Sequence, residues 1–179
     1  MFNPAFYSSM YVDMRKVIIL KVLTVYYSRS GNTEKAAKRI QESLGGDIEL
    51  ISEPTNRKGI LGWIRSGRQN SQRKVAEINP PKYDPGDYDL VILASPIWAG
   101  VVSAPMRGYM VGNKEKLEKT AVFLSNDSGI VENALAEINE ILVKPPMVEG
   151  SLQRSKISTE YESTLSAFIE KINALESSI

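Results

Sequence analysis

The chain of 179 residues is about one domain's worth, with 42% hydrophobic and 24% charged residues, the balance of an ordinary soluble globule. It has no Cys and no His, which excludes disulfides, thiolate metal sites, Cys nucleophiles, Ser–His–Asp hydrolysis and His-ligated zinc or iron. With 22 Lys+Arg against 21 Asp+Glu the net charge is +1, which favours neither a nucleic-acid binder nor an acidic carrier. Whatever chemistry such a chain performs is expected to come from something it binds.

Residues 1–14 show no clear period and read as a tail or short packed extension, so the domain is expected over 17–179 with an extension over 1–16. Val17–Tyr27 is rich in Val and Ile, as a strand is, but Lys21 interrupts it. It is too short for a membrane span and lacks the layout of a signal peptide, so a cytoplasmic location is the expectation. Thr33–Leu44 reads as an amphipathic helix with Ala36, Ala37, Ile40 and Leu44 inward, stopped by Gly45-Gly46. Asp47–Ser52 alternates as a short strand.

Between Pro54 and Ala76 there is no acid, while Arg57, Lys58, Arg65, Arg68, Arg73 and Lys74 are basic. With Ile60, Leu61, Trp63 and Ile64, segment 57–74 reads as a solvated helix face. A sharper alternative is that Arg65 or Arg68 attracts an acidic partner or a nucleotide phosphate.

Asp89–Ser95 is an uninterrupted apolar run, as expected of a strand buried on both faces, and Ala121–Ser125 is another. Ile130–Leu142 is helical, a last strand falls within Met147–Ile157, and Ser158–Leu175 closes the chain as a helix. Strand and helix in alternation imply an α/β fold: a three-layer, doubly wound parallel sheet with right-handed crossovers. Ligands of such sheets sit beyond the carboxyl ends of the strands, where the strand order reverses. Three loops leave the strongest strands on that edge.

The first loop, Ser28-Arg29-Ser30-Gly31-Asn32-Thr33, sets hydroxyls and backbone amides at the start of a helix, a cradle for a phosphate. It has no Walker Lys and no GxGxxG, which argues against a triphosphate site or a primary dinucleotide fold. A plain capped turn is the competing explanation. In the second, Ser95-Pro96-Ile97-Trp98-Ala99-Gly100-Val101-Val102, a large aromatic stands in a small-residue loop. It is either a flat wall for a planar ring or a plug of the sheet end. The third, Ser125-Asn126-Asp127-Ser128-Gly129, is polar and opens a helix; taken alone it reads as a helix cap with no ligand. Together the three describe what flavin mononucleotide (FMN) needs.

YYSRSGNTEKAA resembles the flavodoxin phosphate signature, and YDLVILASPIWAGVVSAPMRGYM resembles the next block of flavodoxin-like proteins. The resemblance spans roughly Lys21 to Leu175. It implies a five-stranded parallel sheet ordered 2-1-3-4-5 and FMN as cofactor. Ser28, Ser30, Asn32 and Thr33, with the backbone of Arg29 and Gly31, would hold the phosphate. Ser95, Pro96, Ile97, Trp98, Ala99 and Gly100 would flank the ring, and Asn126, Asp127, Ser128 and Gly129 would line its other side.

The third loop lacks the Tyr that many carriers stack on the outer face, and the charge is not strongly acidic. The implied function is a redox protein passing electrons to a partner protein or a small acceptor. NAD(P)H-dependent reduction of quinones and a flavin-free interaction module are the alternatives, and a homodimer is left open. No side chain is assigned as acid or base, and no metal site or nucleic-acid partner is expected.

Overall fold

The computed structural model describes residues 20–54 and 75–176. The proposed extension over 1–16 and the basic segment 57–74, Arg65 and Arg68 included, lie outside the described residues.

Strand β1 (Val22–Tyr26) leads into helix α1 (Asn32–Leu44), strand β2 (Asp47–Leu50) and, later, strand β3 (Leu90–Trp98). A two-residue strand β4 (Val101–Val102) and helix α2 (Ala104–Asn113) follow. Strand β5 (Thr120–Asn126), helix α3 (Glu132–Ile141), strand β6 (Val148–Gln153) and helix α4 (Ile157–Glu176) complete the order. The parallel strands run β2-β1-β3-β5-β6, the expected 2-1-3-4-5 topology, and β4 adds an antiparallel pairing at the end of β3.

The central strands are buried on both faces, so their period-two alternation feeds two cores. Leu90, Ile92 and Ala94 of β3 pack with Ala37 and Ile40 of α1 and with Leu165, Phe168 and Ile172 of α4. Val91 and Leu93 pack on the other side with Met106, Tyr109 and Met110 of α2 and with Ala134 and Ile138 of α3. Each of the buried Val, Leu, Ile, Phe and Met side chains among them contributes roughly 1.5–3 kcal/mol by leaving water.

Two expectations need correction. Segment 95–102 is not a loop: β3 continues to Trp98, and the chain turns back at once into β4. Ala99 (φ 50°) and Gly100 (φ 81°) both take left-handed backbone, the signature of a tight two-residue hairpin whose twist matches its strands. Helix α2 was not anticipated at all. Its residues 104–110 are all buried, so it carries no polar stripe to mark a helical period, and Pro105, Gly108 and Gly112 suggest a loop. Gly108 is there for space. A Cβ on it would lie 2.4 Å from the carbonyl oxygen of Ala76, which runs against this helix.

Candidate functional site

A pocket of about 120 Å³ opens beyond the carboxyl ends of β1, β3 and β5. Arg29, Ser30, Asn32 and Thr33 line it from the first loop, Pro96, Ile97 and Trp98 from the end of β3, and Asn126 and Asp127 from the third loop. All three segments singled out in the sequence therefore meet in one place, at the position the strand order requires. A larger hollow of about 520 Å³ lies beside β6, between Leu135 of α3 and Phe168 of α4, and contains none of these residues. Chemistry favours the smaller one, because polar donors converge there.

Helix α1 begins without a side-chain cap after Gly31, which takes φ 88°. The amides of its first turn thus keep their donors for another acceptor, and the positive end of the helix dipole faces the same way. Gly31 is already spoken for: its amide donates to the Ser28 hydroxyl, 3.1 Å away, which shapes the loop and takes this amide from the predicted cradle. The hydroxyls of Thr33 and Ser125 lie 2.7 Å apart and tie the first loop to β5. Ser125, the first residue of the third loop as read from the sequence, lies within β5 and lines the pocket.

Asn126 is the most telling residue. Its side-chain oxygen accepts from the Gly129 amide and closes the turn over Asp127 and Ser128. Its side-chain nitrogen is buried with no hydrogen-bond partner among the described residues. A buried donor without an acceptor is unfavourable, and native structures rarely keep one unless a ligand or water supplies the partner. Ser128 and Gly129 serve the turn: Ser128 accepts from the Ile130 amide, and Gly129 takes φ 80°.

Trp98 forms the wall. Tyr27 meets its ring edge-on at 5.4 Å and an interplanar angle of 87°, and the Tyr27 hydroxyl donates to Glu53 at 3.1 Å. The Arg29 guanidinium lies 5.1 Å from the indole centroid, a cation–π contact that bridges the first and second loops. Ser95, by contrast, is buried below the site, its hydroxyl 2.9 Å from that of Ser103. Ala99 and Gly100 make the hairpin turn and do not line the pocket.

Leu152, Arg154 and Ile157 complete the lining and were not anticipated. They come from the end of β6 and the start of α4, where no motif in the sequence marks them. Arg154 approaches Asp127 at 3.8 Å across the mouth, an exposed pair of little energetic weight.

Among the described residues, no group of three or more Asp or Glu side chains could hold a metal ion, and no helix is long and apolar enough to cross a membrane. No family model and no curated protein sequence matches the chain. Solved structures do. A flavoprotein from Lactobacillus acidophilus NCFM, determined in complex with FMN, is 20% identical with a TM-score of 0.64, covering 78% of this chain and 97% of that one. The apo-form of the flavoprotein from that organism superposes with a TM-score of 0.55 at 22% identity, covering 78% and 95%. Oxidised flavodoxin 2 from Bacillus cereus is 21% identical with a TM-score of 0.52, covering 86% and 98%. Strand order, crossover helices and these superpositions agree: the chain adopts the flavodoxin-like fold.

Proposed function

We propose that this protein binds FMN at the pocket between α1, Trp98 and Asn126, and that it passes electrons to a partner protein or small acceptor. The observation that carries the proposal is the buried, unpartnered side-chain nitrogen of Asn126, set among the three converging segments. The residues fit a phosphorylated ligand. Uncapped amides of Asn32, Thr33 and Glu34, with the hydroxyls of Ser30 and Thr33, offer donors to an anion, and Arg29 and Arg154 add positive charge. The enclosed volume of about 120 Å³ is below the roughly 300–1,000 Å³ that surrounds a whole small ligand. It suits the anionic end, and Trp98 would stand beside the ring.

FMN supplies the electron chemistry when bound; the protein supplies binding, orientation and electrostatics. Asn126 donates a hydrogen bond from its buried amide, Trp98 excludes water from one side, and Arg29 holds positive charge beside the indole. None of these side chains needs to gain or lose a proton. Among the described residues, Trp98 is the single aromatic that lines the pocket, and the side at Asp127 carries no stacking ring. A flavin face without a stacked ring would suit the second reading, reduction of a small acceptor with NAD(P)H as donor.

The test is titration of the apoprotein with FMN followed by flavin fluorescence. Binding at about micromolar Kd or tighter, roughly 8 kcal/mol, is expected. Unperturbed emission at those concentrations overturns the proposal. Mixing the FMN-loaded protein with NADPH then separates the two roles: rapid bleaching marks a reductase, and inertness marks a carrier.

A further inference from the structure

We infer that the buried Arg107–Glu137 pair is the positioning element of the Trp98 hairpin, acting through the main chain of Val102 to hold the indole wall in place. For its effect on ligand binding, this rests on the reading of the pocket as an FMN site.

The register of the hairpin creates the need. Trp98 faces Val101 and Ile97 faces Val102 across the turn, and the Ser103 amide donates to the Pro96 carbonyl at 3.2 Å. Antiparallel pairs alternate between bonded and non-bonded. With Pro96/Ser103 and Trp98/Val101 in the bonded positions, Ile97/Val102 is a non-bonded pair. The N–H and C=O of Val102 therefore point away from β3, on the side where a further strand would lie. Val102 is fully buried, so neither group can turn to water.

Two side chains from two helices take the place of that strand. The Glu137 carboxylate of α3 accepts the Val102 amide at 2.9 Å through Oε2. Its Oε1 accepts from Arg107 Nε at 2.7 Å, and Arg107 Nη2 of α2 donates to the Val102 carbonyl at 3.0 Å. Carboxylate, guanidinium and one residue's main chain close a ring. Both side chains are only 3% exposed.

A buried ion pair by itself is weak support for stability, because desolvation offsets the attraction. What this pair does that apolar residues cannot is satisfy a donor and an acceptor of the same residue at once. The hairpin above it needs such a hold. Its turn places Ala99, a residue with a Cβ, at φ 50°, a conformation that persists only when the surroundings impose it. Release Val102, and the hairpin that carries Trp98 loses the anchor that ties it to α2 and α3.

The deciding comparison sets the wild type against the double substitution R107M/E137L, which removes the ring without stranding a charge. A Trp63→Phe background leaves Trp98 as the only indole reporter. Hydrogen exchange of the apoprotein is expected to be at least about tenfold faster over residues 97–103 and unchanged over 28–33, with a shifted Trp98 emission. FMN affinity is expected to fall at least about tenfold while the denaturation slope stays constant. Equal exchange over 97–103 and unchanged Trp98 emission would overturn the positioning role, whatever happens to FMN. If the wild type binds no FMN, the functional reading fails, and exchange and emission still decide the positioning role. Should R107M/E137L not fold, Glu137→Gln decides. It keeps the shape and one acceptor but loses the charge, and about threefold faster exchange at Val102 upholds the role while no change refutes it.

Discussion

The two walls of the pocket are built in different ways. The first loop, Ser28–Thr33, takes its turn from its own neighbours, with Ser28 accepting from Gly31 three residues on, and a long-range hydrogen bond links the Thr33 hydroxyl to that of Ser125 in β5. The hairpin at Trp98 is assembled from a distance, its Val102 held by Arg107 and by Glu137, which is 35 residues away along the chain. A local loop keeps its shape as long as its own residues are present. A remotely held hairpin depends on how two helices pack, so changes far from the pocket reach it.

This contrast can be broken first at the ion pair. Either Arg107→Met or Glu137→Leu alone leaves an uncompensated buried charge and should destabilise by about 3–5 kcal/mol in urea denaturation. The double replacement should recover only the part owed to the uncompensated charge, because the buried N–H and C=O of Val102 still lose their partners. Equal stability of single and double variants would show that the hold is not cooperative.

The first loop should respond in the opposite manner. Ser30→Asp places a carboxylate where an anion is proposed to bind, and like charges brought together cost several kcal/mol. FMN binding should weaken by about 3 kcal/mol, read by fluorescence titration, while the urea midpoint stays within about 0.5 kcal/mol of wild type. A large stability change instead would mean that this loop, too, is held from outside.

The smallest effect sharpens the comparison. Ala99→Asn puts a residue that accepts left-handed backbone at the first turn position, giving the Asn-Gly pair that two-residue hairpins prefer. It should stabilise by about 0.5–1 kcal/mol, with FMN affinity unchanged. A gain in affinity would show that the turn, and not Val102, limits the position of Trp98.

Much of the fold was legible because it is written in local periods. Val91 and Leu93 alternate with Leu90, Ile92 and Ala94 between two cores, and the unbroken apolar run at 90–94 says that both faces are covered. The site segments were legible for a related reason: three polar loops rich in hydroxyls, Gly and Asn follow such strands on one edge of the sheet, although each alone also serves as a turn. Helix α2 was not legible. A helix whose first seven residues are all buried has no polar face there, and its Gly108 answers to the carbonyl of Ala76, a partner no local window contains. Leu152, Arg154 and Ile157 were missed likewise, since nothing near them in the chain marks a pocket.

The amino-acid order by itself determined that this is an α/β sheet with its polar loops on one edge, because hydrophobic period and turn chemistry act between near neighbours. Only the tertiary structure decided that Trp98 stands on a hairpin and not on a loop, that Ser95 turns inward to Ser103, and that Arg107 and Glu137 close on Val102. Those outcomes turn on which buried donors and acceptors are left over once the strands and helices have packed, and that remainder exists only in the folded chain.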